Sequence, residues 1–476
     1  MLLGVSGLFS LSGCKVNPVT GKKELSMMSE SREIALGKET DPAILANFGL
    51  YENPQMQKFI DEKGQEMAKI SHRPHLNYEF KILDSPVVNA FAVPGGYVYF
   101  TRGIMAHFNN EAEFAGVLGH EIGHITAKHS VKQQTRQMLG QIGLVAGVVL
   151  SPGVRNNFEQ ISQGMGLLFL KFGRDAESQS DMLGVSYSTE VGYDSEYMAG
   201  FFKTLGRMRE GTGAENIPTF MSTHPDPGDR FQNVKQLTQK EQAKYPNKKF
   251  EVGRDSYLRM IDGLVYGEDP KGGYVQNNRF YHPVMKFQFA IPAGWRTANS
   301  PAQFQMAEPN GKAMMALTLG QGKTLEEASQ NFISANKLNL ISSEQGNVNG
   351  YKAISLVADQ VNTQDNTQSI QLLNYIIDYN GTIFQIYGIA QKSTFAGFRS
   401  TFKKTMLSFD KLTDPSKINV KAKRISIKTV NKTSTLRSIL QGYKINTSDG
   451  QNEHAILNGM ELTDQLTAGT LIKVIE

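Results

Sequence analysis

The chain has 476 residues, 40% of them hydrophobic and 20% charged, which is enough for packed cores in roughly two to four domains. Its net charge of +5 is mild and comes with no basic block, so nucleic acid is not a favoured partner. Cys14 is the only cysteine, which excludes an intrachain disulfide framework, and no run of about eighteen apolar residues predicts a membrane-spanning helix.

The N-terminus is a short apolar run, residues 1–14, which ends in Leu11-Ser12-Gly13-Cys14. This ending resembles the lipobox of bacterial lipoproteins, in which the cysteine becomes the lipidated first residue of the mature chain. The absence of any other cysteine supports the attachment role of Cys14. No lysine or arginine precedes the apolar run, whereas secretory signals carry a basic segment there. Despite this departure, the lipobox-like ending leads us to expect a lipoprotein signal over 1–14. The alternative is an ordinary apolar N-terminus with a buried thiol.

The next segments predict a tether, two helices and two strands. Residues 17–21, Asn-Pro-Val-Thr-Gly, are typical of a turn. From Ser29 onward a capping-type serine and a helical period predict one helix, and residues 54–71 predict a second. Residues 78–83 and 96–101 are typical of strands.

A candidate substrate-binding strand lies between those two strands, in residues 89–96, Asn-Ala-Phe-Ala-Val-Pro-Gly-Gly. Proline confines such a segment to the edge of a sheet. An edge strand beside a metal ion can hold an extended peptide by main-chain pairing, with Asn89, Phe91 and Ala92 as its candidate residues. A plain hairpin with a Pro-Gly-Gly turn explains the same residues equally well.

A helix is predicted over residues 111–130, EAEFAGVLGHEIGHITAKHS, because acidic residues open it and apolar residues follow at helical spacing. Residues four apart on a helix share one face, so His120 and His124 can offer two imidazoles to one ion. Glu121 lies one step round the helix, where it can reach a water beside the ion without being a ligand. The alternative is two surface histidines, but with nine histidines in the chain the H-E-x-x-H pattern is improbable by accident.

Two apolar, glycine-containing stretches follow at 138–150 and 164–172. The first has the length of a buried core helix or an interfacial segment rather than that of a membrane span. Core packing is the preferred interpretation, and contact with a membrane surface is the alternative.

A third ligand is expected from the helix predicted over residues 174–186, RDAESQSDMLGVS. Glu177 and Asp181 are four residues apart and share one face of that helix. Glu177 is the candidate ligand, and Asp181 can then accept the outer N–H of a ligating histidine and fix its tautomer. Two solvated acids on a helix surface are the alternative.

His224 lies in a Pro-Gly turn within residues 219–230, TFMSTHPDPGDR. A loop imidazole there can donate to the oxyanion of a tetrahedral intermediate or occupy the open metal position in a resting state. A histidine that only caps the loop is the alternative.

The motifs H-E-I-G-H, R-D-A-E-S-Q-S-D and T-H-P, with Arg230 six residues after His224, resemble metallopeptidase family forty-eight. This family of gluzincin zinc endopeptidases includes the CAAX prenyl endopeptidases and the heat-shock membrane protease HtpX. Residues 17–37 and 89–104 are similar to its bacterial periplasmic lipoprotein branch. The resemblance covers roughly residues 15–265. The membrane-embedded members have spanning helices that this sequence does not predict.

The resemblance implies one zinc ion per chain, which activates a water and polarises the scissile carbonyl. The general base takes the water's proton and returns it to the leaving amine. The residues that the resemblance assigns are the zinc ligands His120, His124 and Glu177, the general base Glu121, the supporting Asp181, and His224 with a regulatory or oxyanion role. One departure is Ser180, where the family usually has alanine. His107 and His129 match no ligand position and are expected at the surface.

The C-terminal half is expected to hold two further modules, after a glycine-rich linker at 266–274. Residues 275–412 alternate strand-like runs with helical stretches near 325–337 and 394–407. The opening residues 287–295, Phe-x-Phe-x-x-Pro-x-Gly-Trp, resemble the small α/β sandwich of PsbP and Mog-type proteins, which implies an antiparallel sheet covered by helices. We expect residues 275–412 to be a binding or positioning module, and a structural domain is the alternative.

Residues 418–476 are predicted to form a small module in the order strand, helix, helix, strand. The segment loosely resembles the LysM module that binds peptidoglycan, so cell-wall binding is an expectation, although no sugar-contacting residue is assigned.

The expected fold is an α+β multidomain chain. It comprises a mainly helical zincin-type protease domain over 15–265 with a small edge-strand sheet, then the α/β sandwich and the βααβ module. The expected function is a zinc metalloendopeptidase of the bacterial envelope, a periplasm-facing lipoprotein that acts on misfolded or unassembled proteins. The alternatives are an envelope chaperone or scaffold whose site cleaves rarely, and a peptidoglycan-binding protein with an inert protease fold.

Overall fold

The computed structural model describes most of the chain as a mixed α and β protein, with a helical N-terminal half and antiparallel sheets in the C-terminal half. The predictions for Cys14, for 138–150 and for all but the last residue of 164–172 fall outside the described residues. The described residues are 15–24, 26, 28–133, 172–212, 219–225, 229–360 and 369–476.

The N-terminal half packs helices around a three-stranded sheet. The predicted helices and strands that lie in its described residues are present, but the helix predicted over 111–130 ends at Thr126. Its elements are β1 (Lys15–Val16), β2 (Lys23–Glu24), α1 (Glu30–Phe48), α2 (Pro54–Ile70), β3 (Glu79–Leu83), β4 (Ala90–Val93), β5 (Tyr97–Thr101), α3 (Arg102–His107), α4 (Glu111–Thr126), α5 (Arg174–Glu190), α6 (Glu196–Thr212), α7 (Thr219–Thr223), α8 (Arg230–Gln242) and α9 (Arg254–Met260).

The strand β4 is both an edge strand and half of a hairpin, so the two interpretations of its sequence are compatible. The order in the sheet is β3-β5-β4, in which β3 runs parallel and β4 antiparallel to the central β5. Pro94, Gly95 and Gly96 connect β4 to β5, and both glycines have positive φ angles that other residues rarely adopt. Helix α4 packs against β4. The amide of Phe220 in α7 donates a hydrogen bond to the carbonyl oxygen of Val88, just before β4.

Helices α4 and α5 cross in backbone contact, which sets the position of every residue on their facing sides. Asn110 caps α4, because its side-chain oxygen accepts a hydrogen bond from the amide of Glu113 at 2.8 Å. A Cβ atom on Gly184 would lie 2.8 Å from the carbonyl oxygen of Gly116 and 3.0 Å from the amide nitrogen of His120. Only glycine allows this approach, so the crossing brings the first turns of α5 against the histidines of α4.

The middle of the chain forms a sandwich of a seven-stranded and a four-stranded antiparallel sheet with two helices. The strands and helices agree with the strand-like and helical runs of residues 275–412, whereas a second sheet was not predicted. The strand orders are β10-β11-β12-β16-β15-β14-β13 and β17-β9-β8-β7. Helix α10 covers one face of the larger sheet, and α11 packs with the smaller sheet against the other face. The elements are β6 (Val265–Tyr266), β7 (Tyr274–Gln276), β8 (Arg279–His282), β9 (Phe287–Ala290), β10 (Arg296–Asn299), β11 (Phe304–Ala307), β12 (Ala313–Leu319), α10 (Leu325–Ala335), β13 (Asn339–Val348), β14 (Tyr351–Gln360), β15 (Ile370–Tyr379), β16 (Thr382–Gln391), α11 (Phe395–Leu407) and β17 (Asp410–Lys411).

The last segment has the predicted strand–helix–helix–strand order, with a short additional strand pair. Strand β18 pairs with β21 on one side and with β6 on the other, so this segment adds strands to the end of the N-terminal half. The elements are α12 (Pro415–Ile418), β18 (Lys423–Thr429), β19 (Ser434–Thr435), α13 (Leu436–Gly442), α14 (Ser448–Leu457), β20 (Gln465–Leu466) and β21 (Leu471–Ile475).

The segment after residue 418 also shares a hydrophobic core with the helical half. Ile425, Leu457 and Leu471 belong to the same buried cluster as the apolar residues of α4. The ammonium group of Lys473 is buried and donates hydrogen bonds to the carbonyl oxygens of Ala106 at 2.9 Å and Phe108 at 3.0 Å. These residues lie just before α4, so the segment supports the start of that helix.

In the described part of the chain, no helix combines the length and the apolar character that crossing a bilayer requires.

Candidate metal centre

Three predicted ligands meet at the crossing of α4 and α5. The Nε2 atoms of His120 and His124 lie 3.0 Å apart on one face of α4. Glu177, in the first turn of α5, places one carboxylate oxygen 3.5 Å from Nε2 of His120 and the other 3.5 Å from Nε2 of His124. All three side chains are buried.

His224 joins this group from the end of α7. Its Nδ1 atom lies 3.2 Å from Oε1 of Glu177 and 3.3 Å from Nε2 of His120. The ring stacks on Phe220, with ring centroids 4.5 Å apart, and its Nε2 atom lies 3.4 Å from the carbonyl oxygen of Ala90 in β4. His224 is therefore buried within the centre rather than exposed in a loop.

The four side chains fit a zinc ion. Their donor atoms all lie within 4.8 Å of one another, and the closest pairs are 3.0 to 3.5 Å apart. Donors about 2.0–2.1 Å from a tetrahedral zinc ion are separated by roughly 3.3–3.4 Å, which is close to the observed spacing. Imidazole and carboxylate groups in a buried pocket are also the donor types that zinc prefers. The residues that would hold the ion are His120, His124, Glu177 and His224.

Asp181 lies behind His120, as the spacing on α5 predicts. Its Oδ1 atom is 2.9 Å from Nδ1 of His120, so it can hold that ring with Nε2 facing the centre. Arg230 donates to both oxygens of Asp181, from Nη2 at 2.6 Å and from Nε at 2.8 Å. Burial opposes ionisation of Asp181, but the charge of Arg230 and the hydrogen bond with His120 lower its pKa to about 2.

His129 is not a surface residue, which corrects the prediction from the sequence. Its Nδ1 atom lies 3.0 Å from Nδ1 of His124, and its Nε2 atom lies 2.9 Å from Oε1 of Gln179. The preceding residue, Lys128, has a φ angle of 59°, so the chain leaves the helical path after α4 and turns His129 back towards His124. Helical spacing does not predict this contact, because His129 lies beyond the end of α4.

His107 is the second histidine that the sequence wrongly placed at the surface. It is buried in α3, and its Nδ1 atom lies 2.7 Å from the carbonyl oxygen of Gly103, one helical turn earlier. Burial lowers the pKa of this imidazole to about 4. It faces Tyr266 rather than the metal centre, so its role is structural.

Glu121 brings a further carboxylate to the same pocket. Neither of its buried oxygens has a hydrogen-bond partner among the described residues, and Oε1 lies 3.6 Å from Nε2 of His224. Burial raises the pKa of Glu121, while the nearby histidines oppose the rise. A buried carboxylate without a partner is costly, so its presence here indicates a functional rather than a packing role.

The charge of His224 is linked to the two carboxylates around it. Burial alone would lower the pKa of His224, but the charges of Glu177 and Glu121 raise it overall. In return, burial opposes ionisation of Glu177 while the charge of His224 lowers its pKa.

A cavity of about 410 Å³ opens beside His224 between α6, α7 and α8. Its walls are mostly apolar, with Arg230 and Lys203 as the basic groups. The predicted substrate residues Asn89, Phe91 and Ala92 lie at the edge of the small sheet, where their side chains are buried. Their role in substrate binding stays a prediction.

Two histidines on one helix face, a glutamate from a crossing helix and a second buried glutamate beside them define an H-E-x-x-H metallopeptidase site. Residues 54–238 match Peptidase family M48. This match agrees with the resemblance of the motifs in this part of the chain.

The curated relatives that the chain resembles are proteases. The mitochondrial metalloendopeptidase OMA1 of Arabidopsis thaliana is 28% identical over 200 residues, which are 42% of this chain and 39% of that protein. The putative beta-barrel assembly-enhancing protease of Vibrio cholerae is 26% identical over 253 residues, 51% of this chain and 50% of that protein. The chain thus spans half or less of the length of these two relatives.

Among solved structures, the PsbP protein of Synechocystis sp. matches 28% of this chain and 91% of its own length. The identity is 16% and the TM-score is 0.24, which is too low to assign a fold. The PsbP- and Mog-like identity of residues 275–412 therefore stays a prediction, as does the LysM-like identity of 418–476.

Proposed function

We propose that the chain is a zinc-dependent metalloendopeptidase of the bacterial cell envelope. The observation that carries this proposal is the convergence of four buried donor groups with a fifth group, the carboxylate of Glu121, whose oxygens have no hydrogen-bond partner among the described residues. A packing role explains neither the four converging donors nor the buried charge of Glu121.

The chemistry divides between the ion and the side chains. When bound, zinc supplies Lewis acidity towards the scissile carbonyl and makes water a better nucleophile. Glu121 accepts the proton of the attacking water and returns it to the leaving amine, as a general base and then a general acid. Burial raises the pKa of Glu121, which favours its uptake of the proton from the water.

His224 holds the position of a resting fourth donor. Its Nδ1 atom is as close to the atoms of Glu177 and His120 as those groups are to each other. It also lies against Ala90 of β4, between the centre and the candidate substrate strand. We infer that this ring moves aside when an extended peptide pairs with β4, and that it can then donate to the developing oxyanion.

The substrate class that fits this arrangement is an extended segment of a protein or peptide, held by main-chain pairing along β4. The apolar cavity beside His224 would accept one hydrophobic side chain of that segment. Misfolded or unassembled proteins offer such segments, whereas folded proteins have theirs paired and buried.

The envelope location rests on two supports. Residues 1–14 end in a lipobox-like sequence, so we propose that Cys14 carries a lipid that attaches the chain to a membrane and leaves it facing the periplasm. Several relatives carry the name beta-barrel assembly-enhancing protease, which connects a related protease domain with envelope proteins. We propose a positioning role for residues 275–412 and peptidoglycan binding for residues 418–476.

The test compares the purified wild type with Glu121→Gln. Zinc content is measured by elemental analysis, and cleavage is measured on an unfolded protein such as reduced casein. The expected result is one zinc per chain in both proteins and cleavage only by the wild type. A wild type that binds zinc and suppresses aggregation of the unfolded protein without cutting it would favour the chaperone alternative instead.

A further inference from the structure

The two histidines of α4 are supported from behind by different kinds of group. His120 has the carboxylate of Asp181 at 2.9 Å from its Nδ1 atom, and a carboxylate accepts hydrogen bonds without donating them. Among the described residues, no carboxylate lies in the corresponding place behind His124. There the contact is the imidazole of His129, with the two Nδ1 atoms 3.0 Å apart.

A contact between two neutral imidazole nitrogens requires one donor and one acceptor, and the surroundings of His129 decide which is which. The Nε2 atom of His129 lies 2.9 Å from Oε1 of Gln179, and an amide oxygen only accepts. The proton of His129 is therefore on Nε2, which leaves Nδ1 as an acceptor. His124 must then carry its own proton on Nδ1, so that the lone pair of its Nε2 atom points to the centre.

The opposite arrangement would disable the site. If Nδ1 of His129 carried the proton, His124 would have to accept on Nδ1 and carry its proton on Nε2, facing the ion. A protonated Nε2 cannot bind a metal ion. When the proton of His129 is on Nε2, the hydroxyl of Ser180, which lies 3.2 Å from Nδ1 of His129, can also donate to that Nδ1 atom.

We propose that His129 is a positioning residue that, together with Gln179, fixes the tautomer and ring orientation of His124 for metal binding. The proposal rests on the metal site of the proposed function, and it assigns the role to residues outside the ligand set. His129 is 3% exposed, and the left-handed turn at Lys128 directs it to this position. Partners of this kind typically contribute about 10- to 100-fold to metal affinity.

The experiment measures zinc affinity by chelator competition in the full-length chain, together with the visible absorption of the cobalt-substituted protein. His129→Leu keeps the bulk of the ring but removes the acceptor, so we expect a loss of affinity of about 10- to 100-fold and altered cobalt bands. His129→Asn places an amide oxygen near the position of Nδ1 and should restore affinity to within about threefold of the wild type.

Gln179 provides a second, independent variant. Gln179→Glu keeps an acceptor opposite Nε2 of His129, so zinc affinity should be retained. Gln179→Lys offers only donors there and favours the opposite tautomer, so affinity should fall as in His129→Leu.

The matched control is His107→Leu, which removes a buried histidine of the same half that does not contact the centre. It should lower stability without changing zinc affinity or the cobalt spectrum. Equal zinc affinity in the wild type and in His129→Leu would overturn this inference alone, as would an equal loss of affinity in His107→Leu. Zinc binding without peptide cleavage would overturn the proposed function alone, and a wild type that binds no zinc would overturn both.

Discussion

The carboxylate of Glu121 lies 3.6 Å from Nε2 of His224, although the two residues are far apart in the sequence. In the proposed mechanism Glu121 takes protons during peptide hydrolysis, and His224 moves aside when a peptide pairs with β4. Because the two groups are close, such a movement of His224 would change the surroundings of Glu121. Substitutions of these two residues should therefore have clearly different effects.

Replacing Glu121 should separate metal binding from catalysis. Glu121→Gln keeps the shape of the side chain and leaves the four donors in place, so zinc content should stay at one per chain. Peptide cleavage should fall by about 10²- to 10⁴-fold, because the general base is gone. His124→Ala should lose both zinc and cleavage, as measured by elemental analysis and a fluorogenic peptide. Normal turnover by Glu121→Gln would rule out the proposed mechanism.

Replacing His224 should show which of its two roles dominates. With His224→Ala the centre loses its fourth protein donor and β4 becomes accessible, so zinc affinity should fall modestly while basal peptide cleavage rises several-fold. Steady-state kinetics on a short peptide would measure this. A fall in kcat of about 10²-fold instead would identify His224 chiefly as an oxyanion donor.

Arg230 should be important for stability as well as for the site. Arg230→Met leaves the buried carboxylate of Asp181 without its partner, and breaking such a buried pair costs about 3–5 kcal/mol. The free energy of unfolding from urea titration should fall by that amount. The double variant Arg230→Met with Asp181→Asn removes the unpaired charge and should recover part of the loss. Equal destabilisation in both proteins would show that packing on Phe202, rather than charge pairing, is what Arg230 provides.

His107 should make the protein sensitive to acid. Burial lowers its folded pKa to about 4 from an unfolded value near 6.5. Above pH 6.5 the ring is neutral in both states, so it does not affect stability. As the pH falls from 6.5 towards 4, the unfolded chain binds a proton that the folded ring does not, and stability decreases. Between pH 7 and pH 5 this contribution amounts to about 2 kcal/mol.

The variant His107→Leu should lose that part of the acid sensitivity. Urea titrations of both proteins at pH 7 and pH 5 would measure how far the free energy of unfolding falls in each. Comparing the two decreases cancels the contributions of the other histidines. An identical loss of stability in the two proteins would contradict the prediction.

Removal of residues 418–476 should prevent stable folding of the helical half. Ile425, Leu457 and Leu471 complete its core, and β18 covers β6. The truncated chain should show a much lower thermal midpoint, or no cooperative transition, and should bind no zinc. A truncated chain with wild-type stability and zinc content would instead mean that this segment is an independent module.

The sequence predicts the helices of the site well, because their signals are local. A capping serine marks α1, acidic residues and apolar spacing mark α4, and four-residue spacing brings His120 and His124 onto one face. The place of Asp181 behind His120 follows from the same geometry, once Glu177 is taken as the ligand. These features need no knowledge of distant parts of the chain.

The features that the sequence did not reveal depend on contacts that have no local signal. His129 reaches His124 through a left-handed residue beyond the helix end, where periodicity no longer applies. Lys473 reaches Ala106 across more than three hundred and fifty residues of sequence. Two carbonyl oxygens before α4 accept the hydrogen bonds of this buried amine and so offset part of the cost of its burial.

The hydrogen bonds from Lys473 also have a consequence for biosynthesis. Ribosomes produce His120 and His124 long before they produce β21, whose Lys473 contacts the residues just before α4 and whose Leu471 belongs to the core of the helical half. Residues 471–475 must leave the exit tunnel before that core is complete. Because Leu471 belongs to the core of the helical half, we expect that half to reach its final stability only late in synthesis.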